Sequence, residues 1–494
     1  MGFNAALRQV GPIPKRFILL ALIAVGLGLG GWVLWGVALP KGLPRGLIEK
    51  QRQLTELSLP RSVDRLDWVA DTIKILNASG TKIRSLRGLP ASLRELDVSN
   101  TKIQSLASVP RGLKSLDIRE ARIEHLVGLP PHLESLKVGN RKIFRLGRIP
   151  DSLQELYLEN TSISALTGLP SHLRSLYIEG KSVENLDGLP ETLKSLTLVN
   201  TNVKTLKNLP PSLQVLKLKN NIHLRFQASD LPPLLTSLEI DLDQPSPDLS
   251  GLKYLTWFSD RRELSSPPPL PSFLSSLTLR KPGWTELPKL PRSLRALGLL
   301  SASLSLKENL PPELEVLDLA GYSKPELESL HNLAHLMKLK IDNSDIMKLP
   351  ELPEQLEALV LSGKKVNDLR GLPRNLKELV FYDSGLERLD GVRDLPRFLE
   401  RLDLSNSRSF RDLASAPVHL VYLNLGGTGV SRLPRLGDDL QELDVSNTKI
   451  KAIAPHSLPG KLGTLTLNEG QVQDLDELPP GIKTLRFVPR TYMP

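Results

Sequence analysis

The sequence predicts an α/β-class repeat solenoid: a horseshoe with a parallel inner β-sheet and a mostly non-helical, polyproline-like convex side, preceded by one transmembrane helix. Three observations predict it. From residue 81 to 220 the chain repeats every 20 residues without a slip. Each of those units carries an apolar residue followed by proline at the same place. Ahead of the repeats lies an uncharged stretch of 23 residues, Phe17 to Leu39.

The repeat comes first. Two units read TKIRSLRGLPASLRELDVSN (81–100) and TSISALTGLPSHLRSLYIEG (161–180). Leu93, Leu96, Val98, Ile103, Leu106, Val109 and Pro110 fill the pattern once, and Leu153, Leu156, Leu158, Ile163, Leu166, Leu169 and Pro170 fill it again. The end of L-x-x-L-x-L alternates like a short strand, with Leu96 and Val98 on the apolar face and Asp97 on the other. One such strand has nothing to pair with or pack on, so neighbouring units must supply both. The proline fixes φ and biases the residue before it away from helix, which predicts an extended or irregular return on the convex side. Thr101, Thr161, Thr201, Asn221, Thr428 and Thr448 sit where strand becomes coil, a place for short polar side chains that satisfy free backbone groups.

Beyond residue 220 the spacing loosens to between 17 and 23, but the unit persists. Counting strand leucines gives 21 strands, with Leu54–Leu59 as a candidate capping strand. At roughly 4.8 Å per strand the inner sheet would run on the order of 100 Å. Residues 223–291 are the least regular and predict longer loops or a change of curvature.

The N-terminal stretch FILLALIAVGLGLGGWVLWGVAL is long enough to cross about 30 Å of hydrocarbon, with Trp32 and Trp35 near its far end suited to the interface. A cleavable signal peptide, with Gly36 and Ala38 near the cut, is the rival reading; a retained anchor is favoured because 23 apolar residues exceed the about 7–15 of a signal core. The run Gly26, Gly28, Gly30, Gly31 would allow a homodimer through close helix pairing. The net charge of +10 is concentrated here: Arg8, Lys15, Arg16, Lys41, Arg45, Lys50 and Arg52 face only Glu49. Basic flanks suit anionic lipid headgroups, and a folded domain this near neutrality argues against nucleic acid. The expected organisation is a basic tail (1–16), a signal anchor (17–39), a basic juxtamembrane linker (40–53), a solenoid of about 21–22 repeats (54–487) and a C-terminal tail (488–494).

Signs of chemistry are few. There is no cysteine, and no phosphate-loop, nucleophile-elbow or dinucleotide pattern. His331 and His335 stand four apart in HNLAH, so on a helix they would share a face, but no third ligand accompanies them. Acidic pairs such as Asp97 with Asp117 or Glu159 with Glu179 would be neighbours on an open sheet, which lacks the enclosure that shifts carboxylate pKa values. The expectation is no catalytic residue, no cofactor and no metal. The concave positions are more informative: in successive units they are Asp97, Asp117, Lys137, Tyr157, Tyr177, Thr197 and Lys217. Tyr157 and Tyr177, rimmed by Lys137 and Lys217 and followed by Glu159 and Glu179, form the candidate partner-binding site, because exposed aromatics with charged neighbours are typical of hot spots. Cross-strand stacking that merely stabilises the sheet is the alternative.

L-P-x-x-L-x-x-L-x-L at a 20-residue period resembles the bacterial LPX-type leucine-rich repeats, found in YopM-like scaffolds and IpaH-like ubiquitin ligases of Gram-negative bacteria. The resemblance covers about 430 residues and implies a leucine-rich-repeat horseshoe that binds proteins. The ligase members carry a separate C-terminal helical domain with a catalytic cysteine; here the repeats run to near Pro494 in a cysteine-free chain, so no catalytic residue transfers. The expected function is a recognition scaffold anchored in a Gram-negative inner membrane, with its N-terminus in the cytoplasm, its solenoid in the periplasm and a protein partner. The alternative is a secreted effector that binds host proteins and inserts its apolar N-terminal segment into a host membrane.

Overall fold

The computed structural model describes residues 46–489 apart from 243–246, 262–267, 281–286, 301–305, 307–309, 322–327, 343–348, 350, 364, 366–368 and 390–394. All of these belong to one compact unit, Gly42–Pro494. The expected anchor at 17–39, the tail before it, residues 40–45 of the linker and residues 490–494 lie outside the described residues. Among the described residues no helix is long and apolar enough to cross a membrane.

Most coils begin at the proline step. The N–H of the leucine three residues on donates to the proline carbonyl, as in Leu93 to Pro90 (3.3 Å) and Leu153 to Pro150 (3.1 Å), and this turn sends the chain into the strand. Alternate strand residues then bury: Leu156 and Leu158 are at most 1% exposed while Tyr157 between them is half-buried. Burying one such leucine is worth about 1.5–3 kcal/mol. The returns are extended, as the prolines predict. The expectation of a mostly non-helical convex side agrees with this: among the described residues the only α-helix is α1, Leu47–Lys50, supplemented by short 3-10 turns such as Ala228–Asp230 and Leu475–Glu477. His331 lies in one of those turns, Glu328–Asn332, and His335 lies beyond it, so HNLAH is not a single helix face. Two return segments pair with each other outside the main sheet, Arg388–Leu389 with Asp412–Leu413.

Two local devices recur at the corners. Where strand turns to coil the backbone enters the left-handed region, occupied by Asn100, Asn160, Asn200, Asn220, Asn406 and Asn447 (φ 50° to 59°) or by glycines such as Gly80 and Gly427. Asparagine and glycine tolerate this region best. The expected threonines follow directly: the Thr101 hydroxyl donates to Val98 O and that of Thr428 to Leu425 O, both at 2.6 Å and buried. The second device sets strand length. Asn77, Asp97, Asp117, Asp318, Asp403, Asn424 and Asp444 occupy one equivalent position, and each accepts the N–H of the residue two further on at 2.8–3.1 Å. Each sits at the end of a strand of three residues. Strands with any other residue there run four to seven, except the first, which has Ser58. The carboxylate or amide captures the next ladder N–H and turns the chain out of the sheet.

The sheet does not end. Its 22 described strands are all parallel, and the first, Glu56–Ser58, pairs on one side with Ile75–Asn77 and on the other with the last, Thr484–Phe487. The horseshoe expectation is therefore corrected to a closed ring, and Leu54–Leu59 is a member of the ring instead of a cap. Registers follow one row throughout: Leu57 faces Leu76, which faces Leu96, and so on to Leu465, Leu485 and back to Leu57. The row returns to its starting residue, so the net stagger around the ring is zero. Stagger and strand tilt are linked in closed sheets, so these strands run along the ring axis. At about 4.8 Å per strand the circumference is roughly 105 Å and the backbone diameter roughly 34 Å. Packed chains cannot approach much closer than about 4.7 Å, so the returns cannot occupy the smaller circumference. They lie outside, and the strand face not backed by them lines the hole.

The seam is held by specific groups. Thr55 and Glu56 donate backbone N–H groups to Lys483 O (3.0 and 3.3 Å), and Arg486 pairs with Glu56 at 3.0 Å. Lys50, at 0% exposure, donates from Nζ to Leu478 O and Pro479 O (3.0 and 3.1 Å) and to Gln53 Oε1. Burial holds its ammonium below the usual lysine range, against the opposing pull of Asp476. Gly46, at φ 76°, starts this segment where any Cβ would collide with Asp474 Oδ1.

Two outcomes are expected. Cysteines at the facing positions Ser58 and Arg486 should form a disulfide under mild oxidation and change mobility on a non-reducing gel, because facing parallel residues lie within disulfide reach; an open solenoid would leave both thiols free to alkylate. Glu120 holds a left-handed φ of 55° without the side chain suited to it. Glu120→Asn should therefore stabilise the protein by about 0.5–1 kcal/mol in denaturant titration.

Candidate binding surface on the inner wall

The inner wall is built by the residues flanking the leucine row, and the sequence-nominated residues fall on consecutive coils of it. Lys137 faces Tyr157 in register, Tyr157 faces Tyr177, and Glu159 faces Glu179. All belong to strands of four or five residues, where no aspartate closes the strand early and the wall is taller than on the three-residue coils. The tyrosine rings stack with centroids 5.6 Å apart and planes at 28°. Lys137 Nζ stands 5.4 Å from the centre of the Tyr157 ring. Tyr177 donates its hydroxyl to Glu179 Oε2 at 2.5 Å. Partial burial and that carboxylate push the phenol above the usual tyrosine range. Lys217 is set apart, two coils from Tyr177 with Thr197 between them.

One member escaped sequence reasoning. Arg119 binds Asp117 at 2.8 Å and also reaches Glu159 at 3.1 Å, two coils away. It crosses above Gly139, where an added Cβ would come within 3.1 Å of the Arg119 side chain. The signal was in the sequence as a glycine on the row between an arginine and a glutamate. The hydrogen bonds that Arg119 donates to Asp117 and Glu159 hold it firmly protonated. The patch is thus a tyrosine platform edged by an Arg–Glu bridge and a lysine, with side chains fixed before any partner arrives.

The acidic pair Asp97 and Asp117 has a local role, since each carboxylate secures its own turn. On the far arc Asp403, Asn424 and Asp444 do the same, with Asn424 donating to Asp403 at 3.1 Å. Burial raises the Asp444 carboxyl above the ordinary range. There Arg401 lies 3.8 Å above the Tyr422 ring, a second cation–aromatic contact that the irregular later spacing had obscured. At the seam, small side chains (Ser58, Asn77, Ser79, Ser99, Thr466) leave an open polar hollow of about 390 Å³ beside Arg486. Among the described residues no group of histidines and carboxylates is arranged to hold a metal.

The 20-residue unit and its parallel sheet make this a leucine-rich-repeat fold. No protein-family profile matches the chain. A probable disease resistance protein of Arabidopsis thaliana is 28% identical over 162 residues, 31% of this chain and 9% of the relative. The disease resistance protein RRS1 of the same plant is 33% identical over 126 residues, 25% of this chain and 9% of the relative. The chain thus spans about a tenth of the length of these relatives. Among solved structures, YopM from Yersinia enterocolitica is similar at 26% identity and a TM-score of 0.40, covering 85% of this chain and 92% of that one. CroV588, described as a circular leucine-rich-repeat protein, is similar at 20% identity and a TM-score of 0.42, covering 84% and 75%.

Tyr177 should ionise late. A phenol whose folded pKa is raised keeps its proton after the unfolded chain has lost it, so its contribution to stability falls as pH rises through about 10. In a spectrophotometric alkaline titration, Tyr177→Phe should lose a component that titrates above the normal tyrosine range; an unchanged high-pH limb would count against the Glu179 hydrogen bond.

Proposed function

We propose that the protein is a membrane-anchored recognition scaffold whose ring engages a narrow segment of a protein partner through its inner wall. The observation that carries this reading is the closed sheet itself. It buries its leucine face completely and leaves the opposite face, with the Tyr157–Tyr177 platform, facing the hole. Side chains reaching inward from a backbone diameter of roughly 34 Å leave about 20 Å clear. An α-helix with its side chains is about 10–12 Å across and fits. A globular domain of 100 residues, with a radius of gyration near 13 Å, does not. A stacked aromatic pair with a cation over one face and a carboxylate at its edge suits a helix or loop carrying both apolar and basic residues.

The resemblance to LPX-type repeats and the disease-resistance relatives support a protein partner over a small substrate. The carboxylates committed to turns support a binding role over catalysis. The 23-residue apolar stretch supports the anchor.

A photo-reactive residue placed at Lys217, on the wall, should cross-link to a partner peptide, whereas one at Val127, exposed on a return segment, should not. Tyr157→Ala with Tyr177→Ala should weaken that binding by about 2 kcal/mol or more. Cross-linking from Val127 alone would refute the inner-wall reading.

A further inference from the structure

Zero net stagger has a consequence at the edge of the ring. Equivalent residues of every coil stand at one height along the axis, so the turn residues just before each strand form a single level band, the leading rim. In most coils the residue preceding the leading leucine is polar, and in several it is serine or threonine. The hydroxyls of Ser152, Ser212 and Ser293 donate to Leu133 O, Leu193 O and Leu274 O (2.7–2.9 Å), stitching each coil to the one before. Three consecutive coils break this rule with Leu234, Tyr254 and Phe273, which are 43%, 55% and 41% exposed. Further round, Met337, Phe398 and Val418 are exposed on the same rim. Of the nine large apolar side chains exposed among the described residues, these six lie in the turns that lead into strands, four of them (Leu234, Tyr254, Phe273 and Phe398) directly before the leading leucine; the remaining three, Val127, Phe144 and Ile222, are elsewhere.

We propose that the leading rim rests on a lipid bilayer, with Leu234, Tyr254 and Phe273 inserted at headgroup depth; this rests on the reading of residues 17–39 as an anchor. Three features select a bilayer as the occupant. The first is flatness, since a level band matches a planar surface. The second is charge: on the five coils from Pro211 to Arg295 the leading-rim turns carry Lys253 and Arg292 with no carboxylate among them, and Arg295, which pairs with Glu313 of the next coil at 2.8 Å. Bases beside apolar and aromatic residues suit the headgroup region of an anionic membrane. The third is the path of the chain. Residues Leu47–Lys50 and Gln51–Gln53 run directly into the first strand from its leading end. Only six residues separate Leu39, the end of the apolar stretch, from Gly46, a reach of at most about 25 Å. A bilayer crossed by that stretch would be tethered to Gly46 by no more than that length of chain. With the rim on the membrane, the ring axis stands along the membrane normal, and a partner segment enters the hole from the trailing side.

The cysteine-free full-length chain suits single-site labelling. Four variants, Tyr254→Cys, Phe273→Cys, Lys181→Cys on the trailing rim and Leu27→Cys in the apolar stretch, would carry an environment-sensitive fluorophore. They would be reconstituted in phosphatidylcholine vesicles containing phosphatidylglycerol. Quenching by headgroup-level nitroxide lipid and by aqueous iodide would be compared. The expected result is at least about twofold stronger lipid quenching at positions 254 and 273 than at 181, with position 27 also lipid-quenched. If position 27 is lipid-quenched while 254 and 273 behave like 181, the anchor stands and rim docking falls. If 254 and 273 are shielded from both quenchers, a protein covers the rim and the proposal is overturned. If position 27 escapes lipid quenching, the anchor reading fails, and lipid quenching at 254 and 273 would then have to carry membrane contact alone.

Discussion

The structure depends on one constraint: the pairing that joins Glu56–Ser58 to Thr484–Phe487 must meet in register after a full circuit. A ring of strands closes only if twist, stagger and curvature, summed over every coil, bring the last strand to the first at the correct height. Closure removes both free edges, which in an open solenoid need dedicated caps and invite pairing with other chains. The buried Lys50 shows how tightly the seam is specified. A lysine ammonium taken out of water is costly, and here its donors meet two backbone carbonyls of the closing coil and the Gln53 side chain. Opening the seam would return those carbonyls to water but break the contacts that order α1.

Curvature and the character of the wall share a local cause. Coils with aspartate or asparagine after the strand leucine turn out of the sheet after three residues, and their carboxylates are spent on backbone N–H groups. Coils without them keep a taller strand and place free side chains, among them Tyr157 and Tyr177, on the hole. The candidate surface therefore appears where the turn device is missing. Gly139 extends the same logic sideways, since its bare backbone lets Arg119 bridge to Glu159 across an intervening coil.

A closed ring also changes what recognition means for this fold. An open concave surface can accept a globular partner from the front, whereas a hole of this size admits only a helix, a loop or an extended segment. The leading rim, with its apolar arc, and the inner wall, with its tyrosine platform, are separate surfaces; on the proposals above, one would meet a flat boundary and the other a slender ligand.

The sequence by itself determined the coil. Period, strand position, buried leucines, proline turns and corner threonines are short-range consequences of spacing and side-chain type, so they were legible residue by residue. The neighbourhood of Lys137, Tyr157, Tyr177, Glu159 and Glu179 was legible too, because parallel in-register stacking places residues 20 apart side by side. Lys217 was nominated with them, yet the Thr197 coil holds it apart from the tyrosines. The tertiary structure alone decided that the coils form a ring. Closure depends on a small rotation per coil accumulated over 22 strands, and no window of sequence contains that sum. It equally decided that Lys50, read as a membrane-flanking charge, is buried at the seam, and that Arg119 joins the candidate surface. Those placements are set by contacts between residues 428 or 40 positions apart, which only the folded chain brings together.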